Sequence, residues 1–269
     1  YKSNEYSSIP IIIIIIIIIK NTFTFMNNIR ILIVLLLLFA PIPLIGQNIC
    51  LPNGLVLTNQ DVATHFAANY PGCTVIQGDV ILGGAINFIG MEQLVEIQGN
   101  IRCGGDGECN GSNGQAHEDF KGLENVISIG GILLEEHAFS FTGLESLESI
   151  TGNLRLDECT FLNFEPLYEL SQIGGDLYTS ETDFQSFLGL DNLTTIGGDF
   201  HIDENLILEN SQFISSLNSV GGSLYLSDCE TLGDLNGFSG LTSIGTHLTI
   251  DDCPVLTALD GLDNTSEIN

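Results

Sequence analysis

Two stretches, SQIGGDLYTSET (171–182) and TTIGGDFHIDEN (194–205), superpose without a gap. NSVGGSLYLSDC (218–229) and TSIGTHLTIDDC (242–253) continue the series. Upstream lie ESITGNLRLDEC (148–159), ISIGGILLE (127–135), VEIQGNIRC (95–103) and VIQGDVIL (75–82). Taking the second Gly as origin gives Gly78, Gly99, Gly131, Gly152, Gly175, Gly198 and Gly222, with Thr246 in the last slot. The intervals are 21, 32, 21, 23, 23, 24 and 24, and the long one carries an insert at Gly104–His117. A recurring unit of this length marks a repeat architecture, in which each unit buries its apolar side against the next. The final Ile268 matches the Ile before the Gly pair, so the array is expected to stop in mid-repeat.

Within a unit, offsets +2 and +4 are apolar, as in Leu154/Leu156, Phe200/Ile202 and Leu224/Leu226, whereas +1 and +3 are mostly polar. Period two over four residues predicts a strand with one buried face. The Gly pair predicts a tight bend before it. A second apolar group follows, then Gly-Leu-x-x-Leu, as in Gly143–Leu147 and Gly189–Leu193. These pieces are too short and Gly-rich for long helices.

The pattern G-L-x-x-L-x-x-I-G-G-x-L-x-I-x-x-C over residues 58–269 resembles the leucine-rich-repeat-like units of receptor L domains. Surface proteins of Bacteroidota carry similar arrays after a segment like Tyr70–Val80. The resemblance implies a mainly β fold, a right-handed parallel β-solenoid, and a protein that binds rather than catalyses. It also implies that slot +7, holding Cys159, Thr182, Asn205, Cys229 and Cys253, turns inward to bond turn backbone. A Cys229–Cys253 bridge between neighbouring turns is the alternative reading of that slot.

Before the array, residues 48–75 read as an N-terminal cap. Thr58 and Asp61 have capping-box-like spacing, and Val62, Phe66 and Ala67 form an apolar helical face. Such a helix would lie over the open end of the core. Cys50 and Cys73 flank it and are expected to form a disulfide that pins it.

The front of the chain reads differently. Residues 1–25 are low-complexity, and the run Ile11–Ile19 is too short to span a bilayer. They are expected to lie outside the working protein; a disordered or membrane-associated extension is the alternative. Met26 to Gln47 has a weakly basic start at Arg30, an apolar stretch Ile31–Ala40 and helix-breaking Pro41 and Pro43, the pattern of a secretory signal peptide. The expected location is therefore secreted or cell-surface, with no stable span in the mature chain. The solenoid proper is assigned to 76–269.

Residues 48–269 carry 3 basic and 33 acidic side chains. That balance excludes phosphate neutralisation and hence nucleic acid as a partner. No metalloprotease, nucleophile-elbow or P-loop motif surrounds the five His, so no catalytic residue is assigned. A polysaccharide-acting solenoid enzyme would need two converging carboxylates, and with so many acids their pairing carries no information.

Three constellations remain. In the insert, Asp106, Glu108 and Asn110 precede Gly111 as in the start of a Ca2+ loop, but position twelve is His117 rather than Glu. The plainer reading is a small loop closed by Cys103–Cys109. At offset +6, Glu158, Glu181, Glu204, Asp228 and Asp252 should stack ~4.8 Å apart. This is a solvated, self-repelling row or a weak Ca2+ ladder. No cofactor is otherwise implied. At offset +3, Arg155, Tyr178, His201, Tyr225 and Thr249 should face outward as a lateral stack, accompanied at +1 by Asp176 and Asp199. Arg155, Tyr178, His201, Tyr225, Asp176 and Asp199 are therefore the candidate binding residues for a protein or glycan ligand. The alternative is a passive stalk whose rings only pack on one another.

Overall fold

The computed structural model describes residues 48–104, 117–136 and 138–268. The expected strands form at offsets +2 to +5: Leu154–Asp157, Leu177–Ser180, Phe200–Asp203, Leu224–Ser227 and Leu248–Asp251. Each pairs in parallel with the next turn, in strict register, so that Leu154, Leu177, Phe200, Leu224 and Leu248 form one rung series. Two-residue strands just before the Gly pair, such as Gln172–Ile173, Thr195–Ile196 and Ser219–Val220, form a second parallel ladder. The Gly pair is the corner between them. About nine such turns make a mainly β, parallel β-solenoid.

Two turns refine the repeat. In Ser128–Glu135 only Gly130 and Gly131 separate Ile129 from Ile132, one residue fewer than between Ile150 and Leu154. Here the two short strands run on as one of eight residues, as they also do in Glu96–Cys103, where three residues separate Ile97 from Ile101. The register shift against Glu96–Cys103 places Gly131 opposite Asn100, so Gly131 occupies slot +1 rather than the origin assigned from sequence. In the segment 48–75, Ile49–Cys50 pairs with Val75–Ile76, and Leu55–Leu57 pairs with Val80–Leu82. The expected cap segment therefore already contains a turn of both ladders. Its helical part is two short pieces, Gln60–Thr64 and Phe66–Asn69. The N-cap is Asn59, not Thr58: Asn59 Oδ1 accepts from Val62 N at 3.3 Å. Asn at this position satisfies an otherwise orphaned N–H of the first turn. Phe66 and Ala63 are buried beneath it.

Offsets +2 and +4 point inward as alternation requires: Leu154, Leu156, Phe200, Ile202, Leu224 and Leu226 are fully buried. The third side of the core was less visible in sequence. Phe88, Phe120, Phe141, Phe164 and Phe187 stack turn upon turn, with centroids 5.6 to 6.4 Å apart and near-parallel planes. A second column, Phe139, Phe161 and Phe184, meets the first edge to face. Such pairs add about 0.5–1.5 kcal/mol each beyond area burial. His117, at the end of the insert, is buried between Phe88 and Phe120.

The disulfide expected between Cys50 and Cys73 is present, with Cα atoms 5.7 Å apart. Cys103 is also disulfide-bonded; Cys109 lies outside the described residues. Slot +7 does turn inward. Asn205 Oδ1 accepts from Ile207 N and Leu208 N, and Cys159 Sγ donates to Leu134 O and Asp157 O. Cys229 and Cys253 are thiols rather than a bridge.

Candidate functional site

Strict register and alternation put the +3 side chains on the outer face of the longer strands, one turn above the next. Arg155 opposes Tyr178, Tyr178 opposes His201, His201 opposes Tyr225, and Tyr225 opposes Thr249. The rings form a continuous stack. Tyr178 and His201 lie 4.8 Å apart at 29°, and His201 and Tyr225 lie 5.2 Å apart at 40°. The Arg155 guanidinium sits over the first Tyr178 face, its carbon 4.1 Å from the ring centroid. All four side chains are half-buried, so their edges and polar tips reach solvent while their faces touch one another.

Two residues further along the strands, carboxylates alternate with serines: Asp157, Ser180, Asp203 and Ser227. Asp157 Oδ2 accepts from Arg155 Nη2 at 2.7 Å, and Asp203 Oδ2 stands 3.9 Å from His201 Nε2. Burial works against the Arg155 charge, but the hydrogen bond and charge of Asp157 outweigh it and raise the pKa.

The +1 row departs from the expectation of free outward-facing side chains. The strand begins only at +2, and the +1 residue sits at the corner with its side chain directed along the solenoid axis. Asn153 Oδ1 accepts from Asp176 N at 2.9 Å, Asp176 Oδ1 from Asp199 N at 2.8 Å, and Asp199 Oδ1 from Ser223 N at 2.6 Å. Asp79 does the same for Asn100 N at 2.9 Å and pairs with Arg102. Asp176 and Asp199 are thus staples between turns, and this architecture places the neighbouring ring stack. The alternation that located Tyr178 and Tyr225 holds only inside the strand, so it misled at the corner.

The +6 row exists and has an unexpected backbone. Glu136, Glu158, Glu181, Glu204, Asp228 and Asp252 all have φ between 46° and 52°. These six turns therefore each place a non-glycine residue in the left-handed region, where L side chains are strained. Glu181 above all, and Glu136 on the other side, push the Glu158 carboxyl above its ordinary pKa; Glu181 is also the chief cause of the rise at Glu204. The candidate Ca2+-loop residues Asp106, Glu108 and Asn110 lie outside the described residues. Among the described residues no group of three or more His, Cys, Asp or Glu is arranged to hold a metal ion.

A depression of about 450 Å³ is lined by Gln185, Ser186, Ile207 and Glu209. Among the described residues no helix is long and apolar enough to cross a membrane. Family models, curated proteins and solved structures yield no match to this chain. The reading of function therefore stands on the chain's own geometry.

Proposed function

We propose that this chain is a secreted or cell-surface binding module, non-catalytic, whose partner docks along the Arg155–Tyr178–His201–Tyr225 stack. The observation that carries the reading is the stack itself: four residues in consecutive rungs, each combining flat apolar area with a polar tip, on the outer face of a rigid sheet. Side chains of this type dominate recognition energetics. Strands hold them more firmly than loops would. Asp176 and Asp199 enter as the inter-turn staples that keep the rungs in register. In this proposal the solenoid is right-handed and L-domain-like, the two helical pieces over Phe66 cap its first turn, and residues 26–47 direct export. The ligand is a protein or a glycan.

A second reading has its own observation. The ring faces are spent on each other, as expected if the stack stiffens a passive spacer. One experiment separates the two. Tyr178→Ser with Tyr225→Ser, screened against protein and glycan arrays, should lose a wild-type ligand while the melting temperature falls by only a few degrees, as for surface changes. A large fall in melting temperature with the ligand retained makes the stack structural.

A further inference from the structure

The stack contains a cation site already filled by the protein's own arginine, and its other end repeats the parts without the cation. At the first end, Arg155 covers the outer face of Tyr178 and is held by Asp157, two residues further along the same strand. At the other end, the Tyr225 face turned away from His201 looks onto Thr249, its partner in the next rung. Thr249 has no ring or long chain with which to cover that face. Asp251 stands two residues beyond Thr249, as Asp157 does beyond Arg155, and in register with Ser227. Among the described residues Asp251 has no ion-pair partner. The two ends are mirrored along the solenoid axis: ring face, neighbouring strand, and carboxylate at i+2 of that strand.

We propose that Tyr225, Thr249 and Asp251 form a subsite for a guanidinium or alkylammonium side chain presented by a protein partner. The chemistry is that of the occupied end. The ring quadrupole attracts the cation and the carboxylate pairs with it, while Thr249 leaves room above the strand. With 33 acidic and 3 basic side chains over residues 48–269, the surrounding field draws in cations and repels anions. The assignment to a protein partner rests on the stack being a binding surface; the affinity for a cation does not. A neutral glycan would hydrogen-bond Asp251 without neutralising its charge, and would find the ring faces largely occupied.

The test titrates 15N-labelled protein with N-acetyl-arginine amide and, separately, with its neutral isostere N-acetyl-citrulline amide. Arginine should give saturable shifts centred on Tyr225 and Thr249–Asp251, with citrulline about tenfold weaker or more. Asp251→Asn should weaken the arginine response, and Thr249→Arg, which supplies the missing cation in cis, should abolish it. Equal responses to the two probes, or an arginine response unchanged by Thr249→Arg, overturn the subsite. Array ligands lost on Tyr178→Ser yet indifferent to Thr249→Arg would remove the subsite and leave the binding surface standing. Arginine binding at Thr249 without any array ligand sensitive to Tyr178→Ser would do the reverse.

Discussion

Asp199 Oδ1 occupies the place where a Cβ on Gly222 would be, and from there it accepts the Ser223 amide at 2.6 Å. The same relation joins Asp176 to Gly198 and Asn153 to Gly175. The second Gly of these three repeats thus makes room for a carboxylate or amide from the turn before, whereas at Gly99 and Gly152 it makes room for backbone. The exception supports the rule. Thr246 replaces Gly in the last slot, and the residue before it in the row is Ser223, whose short hydroxyl hydrogen-bonds Thr246 Oγ1.

Gly222→Ala should therefore destabilise by about 1–3 kcal/mol, the usual cost of overpacking. Shortening the opposing side chain with Asp199→Ser should restore part of that loss. Conversely, Ser223→Asp should be tolerated much better together with Thr246→Gly than alone. Denaturant unfolding of the two double-mutant cycles measures the coupling. Additive effects would mean that the Gly is required for some other reason.

The Cys50–Cys73 disulfide closes a loop of sequence separation 23 and ties the first turn to the second. Constraining a loop of that size contributes about 2–4 kcal/mol. Cys50→Ala with Cys73→Ala should lower stability by that amount. The loss should concentrate in early exchange of the Ile49–Cys50 and Leu55–Leu57 amides, while the later turns remain protected, as expected where each turn contacts only its neighbours. Uniform loss of protection along the solenoid would contradict this.

How far the sequence speaks depends on which force sets each element. Period-two burial within Leu177–Ser180 and its equivalents is a local property, so the strands, their register and the Tyr178–His201–Tyr225 stack could be read directly. The disulfide followed from the placement of Cys50 and Cys73 around a helical face. What escaped was set by contacts between turns. Asp176 looks like an exposed acid until the Asp199 amide is seen one turn away. The Phe120–Phe141–Phe164 column keeps the repeat's own intervals of 21 and 23 residues, but it lies in the loosely patterned second apolar group, where no strict alternation marks which side chains face one another. The missing corner residue at Gly130–Gly131 can be counted along the chain, but only pairing with Glu96–Cys103 shows that Gly131 takes slot +1. The N-cap moved by one residue, from Thr58 to Asn59, because both types suit the position and only backbone geometry chooses.

Cys229 and Cys253 occupy the same inward slot in adjacent turns, but their surroundings differ. Cys229 is fully buried, and burial together with the neighbouring Cys253 pushes its thiol up to about 12. Cys253 is only half-buried. The thiolate is the reactive form, so iodoacetamide on the folded protein at pH 8 should label Cys253 at least ~10-fold faster than Cys229. Peptide mass spectrometry over a time course reads the two rates. Comparable rates would show that the last turns open readily in solution.

The acidic row makes a prediction whose sign runs against that of most carboxylates. Glu158 and Glu204 have native pKa values raised by like charges above the ordinary 4.5, Glu181 being the chief cause at both. A raised native pKa means that the folded state binds the proton more tightly. Their contribution to stability is thus greatest below the ordinary value and is lost as pH rises through it and through the raised native value. Asp79 acts in the opposite sense. The Asn100 amide and then Arg102 lower its pKa, so its contribution is present above 3.8 and is lost as pH falls through the lowered value. Mild acidification from neutrality toward pH 5 should therefore raise the melting temperature, and stronger acid should reverse the gain. Glu181→Asn removes the shared source of repulsion and places a residue that tolerates positive φ at a position with φ of 49°. It should raise the melting temperature at pH 7 and flatten the rise between pH 7 and 5. Added salt should shrink the difference between variant and wild type, because the charges are exposed and screened. A Glu181→Asn protein less stable than wild type at pH 7 would mean that Glu181 makes a stabilising contact outweighing both repulsion and backbone strain.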